Sequence, residues 1–258
     1  MEFAVKKQLF IVSGATSGFG AAIAEALLKE GADVIAVARG EERLKELEIR
    51  FPEQVSLVCA DVTEPESVEK IRSAAGTRQI HGAVINAGGP PAMGSLEASL
   101  EDWDTAYKTV VRWKVDMISK LLPAMIDNQY GRILFIESSS VKQPIENLVL
   151  SNAMRLAVVG YAKTLSQEVT RKGITVNVLA PGSHATPAIN RLIQKKASQM
   201  DISLEEAKKQ HMNQTGVGFF GEAADLAGLA LWLLSPQSRF VTGQTISVDG
   251  GTIKGIMG

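Results

Sequence analysis

The chain has 258 residues, of which 45% are hydrophobic and 21% charged, with a formal net charge of -1. This suits one large α/β domain with a sizeable core, and the near-neutral charge leaves no basic field for nucleic acid or a membrane surface. The single cysteine, Cys59, excludes an intramolecular disulfide and fits a reducing cytoplasm, the compartment expected for the protein.

Apolar runs alternate with helix-period segments from the start. Residues 9–12 read as a buried strand, and 18–29 as a helix with Ile23, Ala24, Leu27 and Leu28 on one stripe, stopped by Gly31. A strand at 34–37, a charged helix at 41–50, a break at Pro52 and a strand at 55–59 follow. Cys59 ends that apolar run and reads as a small buried core residue. A helix at 66–75 and a strand at 83–85 precede a long helix at 100–127, which carries Pro123 near its end. A strand at 132–136, a helix at 152–171 stopped by Gly173, and a strand at 174–179 come next; a helix at 222–234 and a strand at 245–248 close the pattern. Strands of continuous apolar character alternating with helices predict a parallel sheet covered on both faces. No repeat or linker divides the chain, so residues 1–258 read as one domain. The least regular stretch, 186–221, is expected to be a substrate lid. There Ile189, Leu192, Ile193 and Met200 would close an apolar pocket with Arg191, Lys195 and Lys196 near its mouth. The competing reading is an amphipathic helix with a solvated charged face, which suits the lysines better. No run approaches ~20 apolar residues, so no membrane span is expected, and 1–7 lack the features of a secretory leader.

Chemistry enters at Ser13-Gly14-Ala15-Thr16-Ser17-Gly18-Phe19-Gly20. Gly14, Gly18 and Gly20 lie between the first strand and the first helix, where a backbone can turn tightly and approach a pyrophosphate at a helix N-terminus. A glycine triplet alone also fits a plain tight turn. Three further segments add weight: Asn86-Ala87-Gly88-Gly89, Pro181-Gly182 and Val248-Asp249-Gly250-Gly251.

In this order and spacing the motifs resemble the short-chain dehydrogenase/reductase family, over about Leu9 to Gly251. The resemblance implies a Rossmann-type, doubly wound sheet of about seven parallel strands with helices on both faces, and a nicotinamide cofactor. It implies that Gly14, Thr16, Ser17, Gly18, Phe19 and Gly20 cradle the cofactor, that Asp61 and Val62 meet the adenine, and that Asn86, Ala87 and Gly88 line the adenosine side. Pro181, Gly182, Ser183 and Thr186 would contact the nicotinamide end. The second strand ends at Ala38-Arg39, with no acidic residue for a ribose 2′-hydroxyl. Arg39 could pair a 2′-phosphate, so NADP(H) is favoured over NAD(H); the alternative is a solvated surface charge.

The family's reaction positions are changed. Its members transfer hydride between nicotinamide and a carbonyl carbon, with a tyrosine as proton donor, a lysine four residues later, a serine thirteen residues earlier and an asparagine on the preceding helix. Here Ser138 occupies the serine position, Ser151 the tyrosine, Arg155 the lysine and Val110 the asparagine, with Pro144, Leu148 and Gly160 anchoring the alignment. A serine hydroxyl is too weak an acid to replace a phenol, and arginine cannot give up its proton. Arg155 can still hold the nicotinamide ribose and place positive charge near a developing oxyanion.

Position separates the other candidate proton donors. Tyr161 is roughly 15 Å along the helix from Ser151 and about 80° off its face, and Tyr130 lies at the wrong end of its strand. Tyr107 is one turn from Val110. Lys114 shares that face but reads as solvated or at a subunit contact. His184 is the best-placed alternative acid, against a histidine bonded to loop backbone. Glu137 should alternate to the strand face opposite Ser138 and is set aside.

The resulting reading is an NADP(H)-dependent oxidoreductase acting on a small carbonyl or alcohol. The resemblance adds 3-oxoacyl thioesters as one substrate class. Ser138, Ser151 and Arg155 would polarise the carbonyl while water or His184 delivers the proton; no metal is expected. The alternative is a cofactor-binding sensor, scaffold or partner protein. The enzyme is preferred because Arg155 keeps a cation, and Ser151 a hydroxyl, at the family's positions. The family also implies a homodimer or homotetramer through helices 100–127 and 152–171, where Val158, Val159 and Leu165 could serve a subunit contact or the core.

Overall fold

The first strand, β1 (Leu9–Ser13), is buried at every position, as expected of a strand covered on both faces. In this computed structural model, which describes residues 3–256, β1 lies inside a sheet with β2 (Asp33–Ala38), β3 (Val55–Cys59), β4 (Ile80–Ile85), β5 (Gly131–Ile136), β6 (Ile174–Pro181) and β7 (Thr245–Val248). The side chains at 187, 188 and 191 lie outside the described residues, and Arg191 with them. All seven strands are parallel, in the order β3-β2-β1-β4-β5-β6-β7. The order reverses between β1 and β4, so their C-terminal ends open the crevice where sheets of this kind bind ligands.

Alternation along β1 sends Leu9 and Ile11 into one apolar layer and Phe10 and Val12 into the other. The second layer is completed by α1 (Gly18–Lys29), α2 (Glu41–Arg50) and α9 (Ala223–Leu234). The first is completed by α3 (Ser67–Ala75), the long central helix and α6 (Val149–Val169). Within it Val158 and Leu165 are core residues, with Val159 packed against them.

The long helix is not one regular rod. It runs as α4 (Leu100–Ala106), a π-helical stretch (Tyr107–Arg112) and α5 (Trp113–Asp127). A π turn shifts the helical phase, which a 3.6-residue reading cannot anticipate. Val110, Val111, Trp113, Lys114 and Met117 are all buried around it.

Two more expectations are corrected. Cys59 is exposed, because β3 is the edge strand and Cys59 is its last residue. Residues 186–221 are largely helical: α7 (Pro187–Met200) and α8 (Leu204–Met212) meet at Asp201, whose φ is 52°. Ile189, Ile193, Ala197 and Ala207 form a small core of their own, flanked by Leu192, Ile202 and Phe220, while Met200 is exposed. Lys195 and Lys196 are half-buried rather than solvated, and Lys195 Nζ donates to the Ala92 carbonyl at 3.1 Å. Among the described residues no helix is long and apolar enough to cross a membrane.

Candidate active site

Ser13 and Asn86 lock the crevice at the switch point. The Asn86 amide donates to Ser13 Oγ at 2.8 Å, and Asn86 Nδ2 donates to the Ser13 carbonyl at 3.2 Å. The chain turns immediately after Ser13, with Gly14 at φ 65°. A Cβ on Gly20 would sit 2.2 Å from the Gly14 carbonyl oxygen, so only glycine lets the turn close. Helix α1 then starts after Ser17, whose side chain makes no cap bond. Its first amide donors therefore have no side-chain acceptor, the chemistry that fits a pyrophosphate.

This turn meets the loop after β6. A Cβ on Gly18 would lie 3.9 Å from Thr186 Cγ2, and the Phe19 ring stands edge-on to His184 at 5.0 Å. The groups expected at the pyrophosphate and at the nicotinamide thus adjoin. His184 is buried, with Nδ1 3.1 Å from the Gly182 carbonyl oxygen. Its other edge is closed by Gly221, where a Cβ would fall 2.9 Å from Nε2. The Ala185 amide donates to the Gly221 carbonyl at 2.8 Å, and the Gly221 amide to the Ser183 carbonyl at 3.1 Å. His184 Nδ1 is thus bonded to loop backbone while its ring stands beside Phe19.

Beyond β3, Asp61 accepts from the Thr63 amide at 3.0 Å and from the Thr63 hydroxyl at 2.8 Å. The amide bond is the main cause holding its carboxyl below the usual range, with smaller help from the hydroxyl and from Arg39. Arg39 stands 3.7 Å from Asp61 on a side chain that is 82% exposed, loosely tethered and free to turn to a ligand. Val62 and Ala87 pack against the first core, and a Cβ on Gly88 would meet open space.

Ser151 and Arg155 are buried one turn apart on α6, and Arg155 Nε donates to Ser151 Oγ at 3.1 Å. Arg155 Nη1 donates to the Glu137 carbonyl and to Glu137 Oε2, both at 3.1 Å. The other carboxylate oxygen, Oε1, takes the Lys114 ammonium in a very short contact. Glu137 and Lys114, set aside or read as solvated from sequence, are therefore members of the site. The Glu137 amide still pairs to the Leu179 carbonyl at 2.9 Å, so strand alternation continues past Ile136. Ile133 and Phe135 face the first core, and Glu137, two residues on, faces the same layer, where α5 and α6 bring their cations. Burial pulls the Lys114 pKa down, opposed by the Glu137 charge and reinforced by Arg155. Gly89 packs against this cluster: a Cβ there would be 2.9 Å from Arg155 Nη2.

Ser138 lies just beyond Glu137, and its hydroxyl accepts from the Ser140 amide at 3.1 Å. Val110 is a core residue with no polar atom to offer. Burial raises the Tyr161 pKa to about 12, with Glu168 adding to the shift, so that phenol stays protonated. Tyr107 is exposed, and Tyr130 sits at the far end of β5 against the Arg132 guanidinium, 4.4 Å from its ring centre.

One contact had no sequence signal. His211 on α8 places Nε2 3.0 Å from Ser183 Oγ, latching the 186–221 segment to the loop after β6. Burial, with Lys196 second, lowers the His211 pKa. Among the described residues no group of three or more His, Cys, Asp or Glu side chains could hold a metal.

The geometry has close relatives. The family described as enoyl-(acyl carrier protein) reductase matches residues 14–252. The rat protein named dehydrogenase/reductase SDR family member 6 is 31% identical, covering 95% of this chain and 96% of its own. The 3-oxoacyl-(acyl-carrier-protein) reductase of Haemophilus influenzae is 30% identical, over 95% of this chain and 97% of its own. The crystal structure of L-sorbose reductase from Gluconobacter frateurii, complexed with NADPH and L-sorbose, superposes with a TM-score of 0.92 at 27% identity, covering 99% of this chain and 100% of that one. On fold, switch-point motifs and these likenesses together, the chain belongs to the short-chain dehydrogenase/reductase family.

Proposed function

We propose that the protein is an NADP(H)-dependent oxidoreductase that interconverts a carbonyl and an alcohol, with Ser138, Ser151 and Arg155 at the positions of the family's serine, tyrosine and lysine. The observation that carries this reading is the buried arginine: Arg155 is held by Ser151 and Glu137 rather than left as a surface charge. An ordered, ion-paired guanidinium beside the cofactor crevice suits stabilisation of an oxyanion. The relatives named as reductases, one of them solved with NADPH, favour the enzyme over a binding protein.

The cofactor, when bound, supplies the hydride. The chain's own residues do the rest. The turn of Gly14, Thr16, Ser17, Gly18, Phe19 and Gly20 would hold the pyrophosphate, and Arg39 would pair the 2′-phosphate. Asp61 and Val62 border the adenine; Asn86, Ala87 and Gly88 line the adenosine side. Pro181, Gly182, Ser183 and Thr186 border the nicotinamide. Ser151 Oγ accepts from Arg155, so its own proton is turned away from the guanidinium and can be donated to a reacting oxygen. Ser138 Oγ accepts from Ser140 and is equally free to donate. Neither hydroxyl is acid enough to give its proton up, so water or His184 supplies it. His184, enclosed by Gly182, Gly221 and Phe19, also serves to hold the loop.

Residues 186–221 act as a lid, with α7 and α8 latched through His211 to the nicotinamide loop. A 3-oxoacyl thioester is the first substrate class to test. The protein works in the cytoplasm as a homodimer or homotetramer, with the long helices at the subunit contact. The test is NADPH oxidation over ketones, aldehydes and 3-oxoacyl thioesters, with NADH alongside. Turnover above background supports the reading; a folded, NADPH-binding protein that reduces nothing sinks it.

A further inference from the structure

We propose that Lys114 is a positioning residue of this site: it shares the Glu137 carboxylate with Arg155 and thereby fixes the guanidinium that turns the Ser151 hydroxyl outward. The geometry is a chain of three contacts. Lys114 Nζ meets Glu137 Oε1, Arg155 Nη1 donates to Glu137 Oε2 at 3.1 Å, and Arg155 Nε donates to Ser151 Oγ at 3.1 Å. Glu137 has a fully buried side chain and that of Lys114 is 3% exposed, so water does not compete for these bonds.

The chemistry explains why both cations are needed. A carboxylate with two oxygens and one cation can rotate and offer either oxygen, or both in a fork, to that cation. With Lys114 on Oε1, only Oε2 is left for Arg155, and the guanidinium keeps a single pose. Its Nη1 also bonds the Glu137 main-chain carbonyl at 3.1 Å, which leaves Nε for Ser151. Lys114 does not reach the reacting atoms itself. The π-helical stretch before α5 puts it here, with its ammonium 5.7 Å from the Trp113 ring centre. The charged groups facing Lys114 are Glu137 from the end of β5 and Arg155 from α6. Burial lowers the Lys114 pKa, and the Glu137 carboxylate opposes that shift.

The inference rests on the reductase reading only for its kinetic arm, and the closing experiment separates the two. The Arg155 Nε–H signal is followed by nitrogen-15 NMR, assigned by its loss in Arg155→Lys, in the wild-type protein and in Lys114→Met. Lys114→Met leaves the neutral Glu137–Arg155 pair, so it should fold. A shifted or broadened Arg155 signal in Lys114→Met is expected. On whichever carbonyl compound the wild type reduces, kcat should fall about 10- to 100-fold with KM nearly unchanged. The wild-type kcat should drop as pH rises and Lys114 loses its proton, and Lys114→Met should lack that limb. An unchanged signal, or a KM effect alone with the same pH profile, overturns the proposal. Where the wild type reduces nothing, the reductase reading fails while the NMR signal still decides this one. Where Lys114→Met does not fold, Lys114→Gln takes its place; a shifted or broadened Arg155 signal supports the proposal and an unchanged one overturns it.

Discussion

Arg155 Nε donates to Ser151 Oγ at 3.1 Å, one helical turn apart on α6. Residues four apart on a helix face each other, so the pairing follows from the sequence interval alone. Its direction does not. Arginine only donates, so the serine oxygen must accept, and the serine proton is left to point elsewhere. Ser151 and Arg155 thus form a charge-assisted pair with a hydroxyl donor and a positive field to present.

If that field stabilises the transition state, Arg155→Ala should lower kcat/KM by about 10²- to 10³-fold, the usual loss on removing an oxyanion donor. Arg155→Lys should recover part of it, because it restores charge but not the fork. Steady-state kinetics on the best substrate decide this. Unaltered turnover in Arg155→Ala would remove Arg155 from the mechanism.

Glu137 balances two buried cations. In Glu137→Gln, Lys114 and Arg155 lose their shared anion, and a cost of roughly 3–5 kcal/mol is expected from comparable broken buried pairs. Adding Lys114→Met removes one of the stranded charges and should restore stability in part. Urea denaturation of the two single variants and the double gives the coupling. Simple additivity would mean that the two residues do not share one network.

Coenzyme choice should respond to Arg39. Arg39→Ala is expected to weaken NADPH binding about 10- to 100-fold, the worth of a charge-assisted contact, and to leave NADH binding nearly unchanged. Fluorescence titration with both nucleotides tests it, and an equal loss for both would assign Arg39 to the fold.

Asp61 gives a pH signature with a definite sign. The Thr63 amide holds its folded carboxyl below the unfolded value of 3.8. The stabilisation is therefore complete above that value and is lost as pH falls through the lower, folded one. Thermal melts of the wild type and Asp61→Asn should differ near neutrality and converge in acid. A gap that widens on acidification would contradict the assignment.

Much of the fold was legible before any coordinates. The boundaries of α1, α2, β3 and β7 match the sequence reading because their apolar periods and stops are local signals. The glycines of the 14–20 turn could be read from their spacing, and the coordinates supply the reason, a Cβ gap of 2.2 Å at Gly20. Cys59 was misjudged, because exposure depends on which strand ends up at the edge; the small core that α7 and α8 build within 186–221 is likewise a tertiary outcome.

By itself, the sequence determined the alternation of strands and helices and the glycine turn after β1, and it offered three altered reaction positions beside a retained serine, since each reading depends on residues close along the chain. Only the tertiary structure decided that Lys114, Glu137 and Arg155 form one buried cluster. These residues come from α5, the end of β5 and α6. No local period records which charges meet across three elements; the need to pair them once they leave water does.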